Sequence, residues 1–200
     1  GRMDANRMAI GGHSLGACTA FIVGGTTVYR EDGSALDYAD NRMRAILALT
    51  GTGRDGSGLT DKSWSTVNRP MMVMVGSKDA DPRTPKGPIW RAEPYRFAPP
   101  GDKYLLLIMG ATHMTYIGPL TDSKEEKPKH HGAIFEFNQF RGKFKGRPHK
   151  SVMVDCVKCA SLAFWDAYLK DGEVSERAKA YLASDALEDF SNGWVMLNRK

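Results

Sequence analysis

Short apolar runs, each closed by glycine or a small polar residue, alternate along the chain with longer stretches of helical period. Four runs stand out: Met8 to Gly11, Ala45 to Leu49, Met71 to Val75 and Tyr104 to Met109. Their near-continuous apolarity predicts central strands of a parallel sheet covered on both faces, because a half-solvated strand would alternate polar with apolar. Between the first and second, Leu15 to Val23 is rich in alanine and stops at Gly24-Gly25, which predicts a helix starting directly on the strand before it. Between the third and fourth, Pro82, Pro85, Pro88 and Pro94 rule out a long uninterrupted helix and leave room for a short one over Ile89 to Arg96. Asp155 to Lys170 places Val157, Ala160, Leu162, Phe164, Trp165 and Leu169 near helical period, with Asp155 at the N-cap position and Gly172 just past the end. Glu176 to Ala183 predicts a further helix, and Trp194 to Leu197 a short terminal strand or an extended tail. Strands alternating with helices in this way are the pattern of an α/β fold.

A chain of 200 residues fits one domain. With 42% hydrophobic and 26% charged residues, it is excluded from the disordered, collagen-like and disulfide-scaffold classes. No apolar run reaches the roughly 18 residues that a membrane-spanning helix needs. Gly1-Arg2-Met3-Asp4 lacks the apolar core of a secretory signal, which leaves open a signal removed upstream. Cys18, Cys156 and Cys159 are too few for a disulfide framework. Cys156-Val157-Lys158-Cys159 has C-x-x-C spacing, but it falls inside a predicted helix and has no second pair to complete a zinc site, so helix packing is preferred over a redox pair.

The formal charge of +5 is concentrated rather than spread. Between positions 124 and 150, Lys124, Lys127, Lys129, Arg141, Lys143, Lys145, Arg147 and Lys150 face only Glu125, Glu126 and Glu136, and the rest of the chain is balanced. Phe135, Phe137, Phe140 and Phe144 interleave with the later cations, an arrangement a single-strand nucleic-acid binder could use. The preferred reading is a solvated basic insert or loop over 118–154 whose phenylalanines dock on the body.

Gly12-His13-Ser14-Leu15-Gly16 matches G-x-S-x-G with a strand before it and a helix after it, the context that gives the motif its meaning. A serine in so sharp a turn sits in strained backbone, and the expectation is that a Cβ at either flanking glycine would collide with the neighbouring strand or helix. The hydroxyl then projects above the carboxyl edge of the sheet, with the Leu15 amide and the positive end of the helix beside it. Serine needs a base, and the base an orienting acid. Gly76-Ser77-Lys78-Asp79 ends the third strand and Gly110-Ala111-Thr112-His113 the fourth, so Ser14, Asp79 and His113 arrive at one edge. Asp81 is the rival acid. His13 is expected to pack beside the turn, while His130, His131 and His149 fall in the basic stretch; the His130-His131 pair has no partner at metal-ligand spacing. A lone serine in such a turn could also cradle a phosphate, and the strand-ending Asp and His favour nucleophilic catalysis instead.

Gly12-His13-Ser14-Leu15-Gly16-Ala17, Gly76-Ser77-Lys78-Asp79, Gly110-Ala111-Thr112-His113-Met114 and Ala163-Phe164-Trp165-Asp166-Ala167-Tyr168-Leu169 together resemble the C-terminal half of an α/β-hydrolase. They are similar to the serine esterases grouped with dienelactone hydrolases, platelet-activating-factor acetylhydrolases and cutinase or polyesterase-like lipases. True dienelactone hydrolases use cysteine where this chain has Ser14. The resemblance implies strands 5–8 of a mostly parallel sheet and a carboxylic ester hydrolase. Ser14 would be its nucleophile, His113 its base, Asp79 its orienting acid and the Leu15 amide an oxyanion donor. Trp64 and Met114 are expected to line the acyl pocket, and no cofactor or metal is implied. The partner is a small-molecule or polymeric ester, and export to the periplasm or medium is the compartment that the resemblance suggests. In that family the nucleophile follows the fifth strand, with roughly 100 residues before it. Here only Gly1 to His13 precede Ser14. The expectation is therefore a fragment or one chain of a split enzyme, with strands 1–4 and the second oxyanion donor supplied by a missing N-terminal half and an open edge on the first strand. Two other functions stay in view: an amide or peptide hydrolase of the same fold, and a non-catalytic module binding a polyanion through residues 124–150.

Overall fold

A computed structural model describes residues 4–80, 86–116 and 149–200. Asp81, His130, His131 and the basic stretch up to position 148 lie outside the described residues. The fold is α/β, with a mostly parallel five-strand sheet flanked by helices. Strand β1 (Met8–His13) leads straight into helix α1 (Leu15–Val23), followed by a small antiparallel ribbon of β2 (Val28–Tyr29) and β3 (Ala35–Leu36). Next come β4 (Met43–Leu49), a 3₁₀ turn over Ser63–Thr66, β5 (Met71–Gly76), α2 (Pro88–Phe97) and β6 (Lys103–Ile108). The C-terminal part holds α3 (Lys150–Leu169), α4 (Gly172–Ala183), α5 (Ala186–Phe190) and β7 (Val195–Arg199).

The sheet order is β1-β4-β5-β6-β7, with the first four strands parallel and β7 antiparallel to β6. Alternation along β5 sorts its side chains to two cores. Met72 and Met74 join Leu106, Phe164 and Leu182 on the α3–α4 side, whereas Met71, Val73 and Val75 join Phe21, Trp64 and Ala48 on the α1–α2 side. All six β5 residues are buried, as a strand covered on both faces requires.

Several local expectations shift. The strand expected to be central at Met8 to Gly11 is, among the described residues, an edge strand, and its residues are mostly half-buried rather than buried. Helix α3 begins at Lys150, so Asp155 lies inside it; His149 caps it instead, accepting a hydrogen bond from the Ser151 amide through its side chain. Polar Lys150 and Ser151 blur the periodic signal there, yet Met153 is already buried. Gly172 does not merely follow α3 but opens α4, with φ 61. Pro94 sits within α2, and Pro88 occupies its first turn, where no intrahelical N–H is needed. No helix among the described residues is long and apolar enough to cross a membrane.

Candidate active site

The turn at Ser14 is built by an abrupt change from strand to helix. The Ser14 amide still donates to Leu49 O at 3.0 Å, as the last rung of the β1–β4 ladder, while its carbonyl accepts from the Ala17 and Cys18 amides as the first rung of α1. No residue is left to relax the change in direction, and Ser14 takes φ 57, ψ −118, a strained position for a residue with a Cβ. Gly12 makes this possible: a Cβ there would lie 2.3 Å from the carbonyl carbon of Gly16. The second flanking glycine is different. A Cβ at Gly16 meets nothing within 4 Å among the described residues, so the expected collision at that position does not occur.

The loops after β5 and β6 are laced together. The Lys78 amide donates to Ala111 O at 2.9 Å, Ser77 N–H to Ile108 O at 2.9 Å, and the Gly110 amide to Ser77 Oγ at 2.9 Å. Gly76 permits this contact, since a Cβ would fall 2.2 Å from Ala111 O. The Asp79 amide closes a tight turn on Gly76 O, and Thr112 and Thr115 close another around His113. Two short strand ends thus become rigid arms.

These arms bring three of the expected residues into one line. His113 Nε2 lies 2.9 Å from Ser14 Oγ, and His113 Nδ1 lies 3.0 Å from Asp79 Oδ1. An ionised carboxylate can only accept, so Nδ1 carries the proton and Nε2 is left to accept from the serine hydroxyl. Asp79 is fully buried and the His113 side chain about one quarter exposed, so the line runs from the interior to solvent. The Leu15 amide is the first N–H of α1, one of the group without an intrahelical acceptor, at the positive end of the helix. The arrangement can take a proton from a hydroxyl, stabilise the resulting imidazolium and present amide hydrogens to a developing oxyanion.

Leu15 and Met114 flank the line and are 72% and 60% exposed, so Met114 stands where a lining residue could. Trp64 does not. It is fully buried, edge-on to Phe21 and stacked on Phe97, part of the core beneath α1 and α2, because its large apolar surface fills the space that the small side chains of α1 leave.

Three participants were not anticipated as such. His13 Nε2 contacts His113 O at 2.8 Å. Arg91, on α2, places Nε 2.8 Å from Asp79 Oδ1 and donates through Nη1 to Thr50 O and Gly51 O at 2.9 and 3.1 Å. The Nε contact lacks hydrogen-bond alignment, so it is a contact of charges, and Nη1 carries the directed bonds. The buried hydroxyl of Tyr116 has no hydrogen-bond partner among the described residues, nor has Asp79 Oδ2. Burial, and secondarily the Asp79 charge, hold the Tyr116 phenol far above its ordinary range, so it stays protonated. Nothing in the sequence around Arg91 sets it apart from any other helical cation.

Among the described residues no group of three or more His, Cys, Asp or Glu side chains could hold a metal ion. Cys156 is buried against the sheet and Cys159 exposed, both as free thiols. No protein-family model matches the chain, and no curated protein matches it.

Proposed function

We propose that the chain is a serine carboxylester hydrolase, built on the α/β-hydrolase plan with β1, β4, β5 and β6 in the places of its strands 5–8. The observation that carries the reading is the unbroken contact Ser14 Oγ, His113 Nε2, His113 Nδ1, Asp79 Oδ1 at 2.9 and 3.0 Å, on a serine held at φ 57. Strained backbone and a buried carboxylate each cost stability.

In the proposed reaction His113 Nε2 takes the Ser14 hydroxyl proton as Oγ attacks the ester carbonyl carbon. The new imidazolium is stabilised by Asp79, and the tetrahedral oxyanion faces the Leu15 amide. Collapse expels the alcohol with the proton from His113 and leaves an acyl group on Ser14. Water, deprotonated by the same nitrogen, then attacks the acyl carbon and releases the acid. The apolar Leu15 and Met114 side chains support an acyl or alcohol moiety of low polarity. None of these steps draws on a metal or cofactor.

The test is covalent labelling with a fluorophosphonate, read by mass spectrometry. The expected result is one adduct on Ser14 that is lost in His113→Ala, together with a fall of about 10⁴–10⁶ in ester turnover in Ser14→Ala. An adduct elsewhere, or none, would refute the reading. A parallel assay on the matching anilide separates an esterase from an amidase.

A further inference from the structure

Arg91 is almost completely buried, on a helix that the fold could pack with an apolar residue in its place. An arginine taken out of water is costly unless it meets an opposite charge and acceptors for its donors. Here these partners converge on the site. The guanidinium meets the same Asp79 oxygen that His113 does, at 2.8 Å against 3.0 Å, and Nη1 gathers the successive carbonyls of Thr50 and Gly51. Thr50 is a β-branched residue at φ 50, a conformation that needs outside support. The Thr50 amide in turn bonds Met74 O, and the preceding residue, Leu49, accepts from the Ser14 amide. One buried cation therefore ties α2, the end of β4 beside the serine turn and the acid of the line.

We propose that Arg91 is a positioning residue for the ester hydrolysis described above: it fixes the Asp79 carboxylate under His113 and, by sharing Oδ1, moderates how strongly that carboxylate holds the imidazolium. This rests on the reading of Ser14 and His113 as nucleophile and base. A cation on the far side of Asp79 opposes a second positive charge on His113. The other groups facing His113 and Asp79 among the described residues are the His13 ring, 4.8 Å from that of His113, the Ser14 hydroxyl and the protonated Tyr116 phenol; Lys78 on the β5 loop is exposed to solvent.

The experiment measures the rate of fluorophosphonate labelling at Ser14 against pH for the 200-residue chain, its Arg91→Met and its Arg91→Lys forms, with circular dichroism to confirm folding. The expected result for Arg91→Met is a rate about 10- to 100-fold lower, from a displaced acid and base, and an acid limb about one pH unit higher. Arg91→Lys, which keeps the charge but loses the fork, should restore the position of the acid limb while the rate stays low. Should Arg91→Met fail to fold, the neutral Arg91→Gln, which can still donate to the Thr50 carbonyl, carries the same test. A folded neutral variant with the wild-type acid limb would overturn the proposal for Arg91 alone. A wild-type chain unlabelled at every pH would remove the ester-hydrolase reading and this proposal with it.

Discussion

His13 and His113 are joined ring to backbone: His13 Nε2 lies 2.8 Å from the main-chain carbonyl of His113, and the two rings sit 4.8 Å apart, tilted by 44°. A carbonyl can only accept, so His13 Nε2 carries a proton and donates it to this bond. The residue before Ser14 therefore anchors the loop that carries His113. The predicted outcome of His13→Phe, which keeps the ring and removes the donor, is a folded protein with kcat roughly tenfold lower at similar KM, in line with a small displacement of a catalytic group. Steady-state kinetics on a small nitrophenyl ester checks it. An unchanged kcat would mean that the Thr112–Thr115 turn holds His113 unaided.

The two glycines of the serine turn should part company on substitution. In Gly12→Ala the new methyl must displace backbone atoms of Gly16 and Ala17, at 2.3 to 2.9 Å, which flexible side chains cannot absorb. A loss of about 1–3 kcal/mol, or more, is expected. In Gly16→Ala the methyl has open space within a helix, and stability should rise by about 0.5–1 kcal/mol. Urea unfolding of both variants decides the matter.

Much of this arrangement can be read from residue order, and the reason is local. A run such as Met71 to Val75 is apolar because both its faces are covered, and Gly76-Ser77-Lys78-Asp79 and Gly110-Ala111-Thr112-His113 announce turns at its end and its neighbour's, so the shared edge follows from parallel pairing alone. What stays hidden depends on contacts between distant segments. Arg91 looks like any helical cation until α2 is laid against Thr50 and Asp79, and nothing in its neighbours says which face will be inward. Trp64 is misjudged for the same reason: its place after β4 suggests the rim, whereas its contacts with Phe21 and Phe97 put it in the core. The start of α3 at Lys150 was obscured because a first turn of polar residues carries no periodic signal.

The C-x-x-C pair offers a chemical contrast within one helix. Burial pushes the Cys156 thiol up to about 11, with smaller contributions from Cys159 and Asp155, so little thiolate forms near neutrality. Cys159 is exposed. Iodoacetamide at pH 8 should therefore modify Cys159 within the native protein and reach Cys156 only after denaturation. Peptide mapping gives the answer, and equal labelling of both would show that α3 opens readily.

A pH effect on stability follows from Tyr104 and Tyr168, whose hydroxyls meet at 2.7 Å behind the sheet. Burial raises both phenols, and for Tyr168 the bond to Tyr104 adds to it. With folded values above the unfolded one of about 10, the pair's contribution is fully present below that pH and is lost as pH climbs through and beyond it. Tyr168→Phe should cost about 1 kcal/mol at pH 7 and flatten the decline above pH 10. Urea titrations at pH 7, 9 and 10.5 compare the slopes.

Strand β7 closes the sheet on the side of β6: Val195 pairs with Ile108, the Met109 amide donates to Trp194 O at 2.8 Å, and Lys200 exchanges both main-chain bonds with Lys103. The strand that delivers the imidazole is thus splinted along its whole length by Val195 to Lys200. A search for altered ester turnover should accordingly return variants at Trp194 to Leu197, well away from any reacting atom.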